Sequence, residues 1–224
     1  MKKKKIISVI AAVAVVASLA VGSLAYFTSK ETVKNSFSTI AQGNEDKGGD
    51  AGIDIVEDFN PEQAKNMIPG DTVNKDVQVD STANYPQFIR VKLDPNWVDS
   101  NGKISVDLNS TDKDDIVLNC VNTSENMENN KWFKAGDYYY YIASVQPKGQ
   151  AGDKTARLLD SVTLASDTEK AVLGNGFTVD VTAESVQASN DAVEETWKDA
   201  PSNVIAKLKS LQMQGKTEKS TATK

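Results

Sequence analysis

An all-β chain, folded as a jelly-roll-like antiparallel β-sandwich with short helical additions, is what this sequence predicts. Three observations carry the prediction. Short runs alternate apolar and polar residues with period two, most cleanly over 176–186. Gly, Pro and Asn punctuate those runs at short intervals, giving about nine or ten strands. A helical stripe shows only near the C-terminus, where Val204, Ile205, Leu208 and Leu211 share one face.

The first forty residues set the organisation. Lys2, Lys3, Lys4 and Lys5 form a positive start, 6–25 carry no charge, and Ser23-Leu24-Ala25 puts small residues where a signal peptidase inspects the chain. Residues 1–25 therefore read as a secretory signal cut between Ala25 and Tyr26. The competing reading is a membrane anchor, since an apolar run of about 20 residues can just cross a bilayer. The small-x-small site and the lack of a following cationic cluster favour cleavage.

Residues 26–41 form the segment that cleavage would free. Val33, Asn35, Phe37 and Thr39 fall on one side of a period-two strand, and Thr, Ser, Val and Phe favour the extended state. The polar, Gly-rich stretch 41–52 is a loop. Residues 42–200 are assigned to the sandwich. Within it, 52–57 alternates, Asn60-Pro61 opens a short helical turn, and Pro69-Gly70 makes a β-turn into a strand. Strands are expected at 76–79, 87–93, 104–108 and 116–121, with a turn at Asp99 to Gly102. Ala135-Gly136 separates Lys131-Trp132-Phe133 from the run Tyr138-Tyr139-Tyr140-Tyr141, as in a hairpin. Strand alternation should bury two of those tyrosines and expose two. Further strands are expected at 156–164 and 176–186. Helices follow at 189–197 and 202–213, and 201–224 is assigned to a C-terminal helix with a disordered tail.

Composition narrows the function. The formal charge is −6, and the leader holds four lysines and no acid, so the remainder stands at −10. Phosphates would repel it, so no nucleic-acid partner is expected. There is no histidine, which removes His-based zinc sites and Ser-His-Asp or Cys-His catalysis. No phosphate-binding Gly-rich loop is present, and an enzyme is not expected. The one cysteine, Cys120, lies in a strand-like run and reads as a buried structural thiol. No cofactor is expected. Calcium at the acidic loops 44–46 or 111–115 is allowed by oxygen-ligand chemistry, but neither has EF-hand spacing.

Several stretches, in order, resemble the TasA/camelysin family of exported biofilm-matrix fibre proteins. They are Leu24-Ala25-Tyr26-Phe27-Thr28, Asn35-Ser36-Phe37, Pro69-Gly70-Asp71-Thr72-Val73 and Phe88-Ile89-Arg90-Val91-Lys92-Leu93. Tyr138 to Tyr141, Leu159-Asp160-Ser161-Val162 and 179–187 complete the set. The resemblance implies cleavage by a SipW-type signal peptidase, secretion from a Gram-positive bacterium to the cell surface or extracellular matrix, and membrane contact only before cleavage. It also implies a homopolymer assembled head to tail by donor-strand exchange, with an accessory fibre protein as a further partner. Val33, Asn35 and Phe37 would then lie in the inter-subunit strand. The alternative for that strand is to pair within its own domain. No sortase-type motif or apolar tail is seen, so covalent wall attachment is not expected. Residue types for a Lys–Asn isopeptide bond between subunits are present, with no pair singled out. Competing functions are a monomeric secreted adhesin using the tyrosine run, a fibre-accessory protein, or a secreted hydrolase using carboxylates.

Overall fold

A computed structural model describes residues 28–38, 52–64, 66–99, 101–169 and 175–212. Among these, nine strands form two antiparallel sheets. The strands are β1 (Thr28–Ser38), β2 (Ile53–Phe59), β3 (Thr72–Ser81), β4 (Gln87–Val98), β5 (Ile116–Cys120), β6 (Trp132–Ala135), β7 (Tyr138–Tyr141), β8 (Leu159–Leu164) and β9 (Gly176–Gln187). Sheet A has the order β1-β9-β4-β7-β6 and sheet B the order β2-β3-β8-β5. The described residues also hold three α-helices, α1 (Val106–Thr111), α2 (Ala192–Thr196) and α3 (Ser202–Ser210), and one 3-10 turn at Lys113–Asp115. The predicted all-β sandwich is the observed architecture.

Period-two patterning places the core. Val77 and Val79 of β3, Ile89 and Val91 of β4, Leu159 and Val162 of β8, and Val179 and Val181 of β9 meet between the sheets, all essentially inaccessible to water. A second apolar layer covers the outer face of sheet A. There Phe88, Tyr140 and Val186 pack under Val193 and Trp197 and under Val204 and Leu208 of α3. Sheet A is thus buried on both faces along β4 and β9, which explains their nearly continuous burial.

That second layer corrects the tyrosine expectation. Tyr139, Tyr140 and Tyr141 are all buried, and Tyr138 is half-buried. Tyr139 and Tyr141 enter the sandwich, whereas Tyr140 points the other way and meets Trp197 edge-on at 6.0 Å. The hairpin itself stands as expected: Ala135 pairs with Tyr138 across Gly136-Asp137, and Gly136 adopts φ +58°.

Residues 104–108 are a second correction. The strand expected there is replaced by α1, one residue of bridge at Ile104 apart. The Ser105 hydroxyl accepts from the Leu108 N–H at 3.5 Å, and Asp107 lies in the first turn. Asn109 then ties the helix to β4, accepting from the Trp97 N–H at 2.8 Å and donating to its carbonyl at 3.0 Å. The Asp99 turn is confirmed: its carboxylate accepts from the N–H groups of Asn101 and Lys103.

Candidate functional site

The candidate site is the edge of sheet A formed by β1. Its alternating Thr, Lys, Val and Phe suit a pleated edge, and lysines discourage unwanted edge pairing. All eleven residues pair antiparallel with β9, from Thr28 opposite Val186 to Ser38 opposite Gly176. Among the described residues β1 has one strand neighbour, and its other flank is an edge of the sheet they form.

Side chains anchor it in three ways. On the outer face, Lys30 Nζ donates to Glu184 Oε1 at 2.9 Å, and Thr32 and Thr182 hydroxyls meet at 3.3 Å. On the inner face, Val33 packs against the sandwich core. Across the open side of the sandwich, Glu31 Oε2 accepts from the Ile55 N–H of β2 at 2.7 Å. One carboxylate therefore closes the gap between the edges of the two sheets. Burial raises the Glu31 pKa, the Ile55 N–H opposes that rise, and Asp54 and Glu57 add to it.

Glu184 links β1 to the deeper structure. Its Oε2 accepts from Arg90 Nε at 2.9 Å and Nη2 at 2.7 Å. Arg90 Nη1 reaches both Asp199 oxygens, at 2.8 and 2.9 Å, in the connection between α2 and α3. The guanidinium lies 3.9 Å from the Tyr138 ring centroid and 5.0 Å from that of Trp197. Burial pushes the Glu184 pKa up, but Lys30 and Arg90 outweigh it and hold the carboxylate below its ordinary value. The residue is a fixed anion at neutral pH.

A second ion pair sits inside the sandwich. Lys75 of β3 occupies the same row as Val73, Val77 and Val79, and it is fully buried. Its Nζ donates to Glu57 Oε1 of β2 at 2.8 Å and lies 5.3 Å from the Phe59 ring centroid. Burial lowers its pKa, against the opposing charges of Glu57 and Asp180.

No family model, curated protein or solved structure matches this chain. The site is therefore read from its own residues. Ala25 and Tyr26 lie outside the described residues. Val33 lies at the core margin as the pattern required, Asn35 holds the register position opposite Val179, and Phe37 that opposite Phe177. Cys120 is half-buried, its Sγ donates to the Tyr139 hydroxyl at 3.5 Å, and burial raises its pKa. Among the described residues, no three His, Cys, Asp or Glu side chains are placed to hold a metal ion. None of their helices is long and apolar enough to cross a membrane. The tyrosine run is mostly core, and one face of Tyr138 is taken by Arg90.

Arg90, Lys75 and Glu57 are residues that sequence reasoning passed over. Their signal was a charge inside an apolar row: Lys75 among Val73, Val77 and Val79, and Arg90 within Phe88-Ile89-Arg90-Val91.

Proposed function

We propose that this chain is a structural subunit of extracellular biofilm-matrix fibres, secreted and then assembled head to tail by exchange of β1. The observation that carries this reading is the seat of β1: the first described strand, paired along its full length and, among the described residues, with one strand neighbour at the rim of a two-sheet core. Withdrawing it would bare the backbone of β9 and the core margin around Val33. An identical strand from a second molecule offers the same partners in the same register. Residues 39–52 link β1 to β2 and could span at most about 50 Å when fully extended, enough for the strand to reach a neighbour. The contact is head-to-tail and need not close, so it propagates as a filament. The leader supplies the control, because a strand tethered at the membrane cannot be passed on freely.

Electron microscopy of the chain starting at residue 26, followed over hours at rising concentration, tests the proposal. Filaments are expected, and deleting residues 28–38 should leave single molecules. Filaments from the truncated chain, or an intact chain that stays monomeric throughout, would overturn it.

A further inference from the structure

Exposed apolar side chains gather at one end of the sandwich. β1 and β4 both finish there, at Ser38 and Val98, each opposite Gly176 at the start of β9. Gln87 Nε2 donates to Ser81 Oγ at 3.0 Å, which sets the end of β3 beside the start of β4 at the other, upper end. β3 therefore begins at the lower end, and β8 finishes there, with Thr72 opposite Thr163. Ile68 precedes β3, and the Gly70 N–H donates to the Leu164 carbonyl at 2.8 Å. Ile104 bridges to Val98, and Val106 opens α1. Ile68, Ile104 and Val106 are 63%, 47% and 79% exposed, and they are three of the five large apolar side chains exposed among the described residues. Single exposed apolar residues are ordinary, whereas a group of them at one end marks an interaction surface. α1 buries none of its six residues, yet it is firmly held. Asn109 bonds both backbone groups of Trp97, and the Trp97 indole N–H donates to the Asp112 carbonyl at 2.7 Å. The fold thus fixes a helix that points Val106 at solvent.

The register of β1 indicates what this end meets. In its seat the strand runs from the upper end to the lower and leaves at Ser38. β2 of the same chain begins at the upper end, where Ile53 pairs with Ser81. A chain that lends β1 to a neighbour therefore passes from the neighbour's lower end to its own upper end. The reach of residues 39–52 would also let the two molecules lie side by side. The apolar and charged groups decide for end to end. At the upper end the Ala83 N–H donates to the Gly52 carbonyl at 3.0 Å, and the Lys148 N–H donates to the Ala83 carbonyl at 2.9 Å. Lys148 is exposed and is the single charge in 143–152, and Tyr85 and Pro147 of the same end are half-buried. The lower end is acidic. Asp107, Asp112, Asp114 and Asp115 stand against Lys113, whose Nζ already donates to Asp94 at 2.9 Å. Two lower ends would repel each other, whereas an upper end brings a cation.

We propose that the lower end of each subunit seats on the upper end of the next, with Ile104 and Val106 against the surface of Tyr85 and Pro147 and the α1 carboxylates toward Lys148. The inference rests on the strand-exchange reading and adds a second contact to each joint of the fibre. The exchanged strand tethers two molecules. The end contact removes the freedom that the link of residues 39–52 leaves them, so the joint is stiff.

Carbodiimide coupling joins an amine to a carboxylate in contact, with no spacer, and it reads this joint in filaments of the chain starting at residue 26. Within one molecule Lys148 and α1 lie at opposite ends of a sandwich about 35 Å long, the length of the eleven residues of β1, too far for such a link. The expected result is a branched peptide joining the segment around Lys148 to residues 106–115, present in filaments and absent from single molecules. Val106→Ser should raise the concentration needed for filaments about tenfold, the factor that burial of one valine carries. Its urea unfolding as a single molecule should stay unchanged, because Val106 packs in no core. Lys148→Glu should abolish the link and raise the same concentration. Filaments that give no such link, and that form equally well from both variants, overturn the end contact and leave strand exchange standing. The link found in filaments of a chain lacking residues 28–38 keeps the end contact and removes strand exchange. An unaltered chain that forms no filaments removes both.

Discussion

β9 has a long partner on each flank, and the two are held very differently. β4 pairs with it from Gln87–Gln187 to Val98–Gly176, and β1 pairs with it from Thr28–Val186 to Ser38–Gly176. The backbone ladders are nearly the same length. β4, however, has β7 on its far side, a core on one face and a helical layer on the other. Among the described residues β1 has no strand on its far side, and its outer Lys30 is exposed. Equal hydrogen bonding thus gives unequal attachment, because packing rather than the ladder decides how firmly a strand is kept. Local opening should follow the same division, with β1 at the weak end.

The contrast can be broken from either flank. The largest effect is expected at Arg90, the buried cation that ties β4 to Glu184 and Asp199. Arg90→Ala removes one of the two cations described against Glu184 and strips the cation from beside Tyr138 and Trp197, costing about 3–5 kcal/mol of global stability. Urea unfolding followed by tryptophan fluorescence measures it, and a loss below about 1 kcal/mol would deny the β4 flank its special hold. Val33→Asp comes next. A carboxylate at the core margin should weaken the docking of β1 by about 2–3 kcal/mol while the rest of sheet A persists. Amide exchange should then quicken across 28–38 and stay slow in β4. Equal quickening in both strands would mean that β1 and β4 open together.

The smallest effect sharpens the contrast by pH. Glu31 has a folded pKa raised above its ordinary 4.5, chiefly by burial. A raised value means that the docked strand favours the protonated acid. That contribution to docking is complete below the ordinary value and is lost as pH rises through the folded one. Protection factors across 28–38 should therefore fall as pH climbs above about 4.5, and Glu31→Gln should flatten the trend. A profile unchanged in the variant would assign the pH dependence to another group.

How much of this the sequence revealed follows the same physical line. β9 was legible because its alternation continues for eleven residues and one face must be buried. β1 was legible as a strand, but its seat was not, since a terminal strand with period two fits its own sheet or another copy's equally well. The tyrosine run misled for a tertiary reason: two exposed tyrosines presume a wet outer face, and α2 and α3 cover that face from more than fifty residues away along the chain. Residues 104–108 misled for a local one. Ile104, Val106 and Leu108 alternate like a strand, yet Ser105 with Asp107 behind it is a helix start, and the cap prevailed. Lys75 escapes a pattern that starts the strand at Asp76, because β3 begins at Thr72 and only the longer run shows a lysine in the valine row.

The antiparallel register of β1 on β9 also settles direction. Any strand taking that seat must run the same way as the one it replaces, so in the proposed fibre every subunit would face alike. The two ends of the series are then chemically distinct: one offers a vacant groove along β9, the other a strand still looking for a groove. A molecule carrying only one of these features would halt growth at one terminus and leave the opposite terminus free to extend.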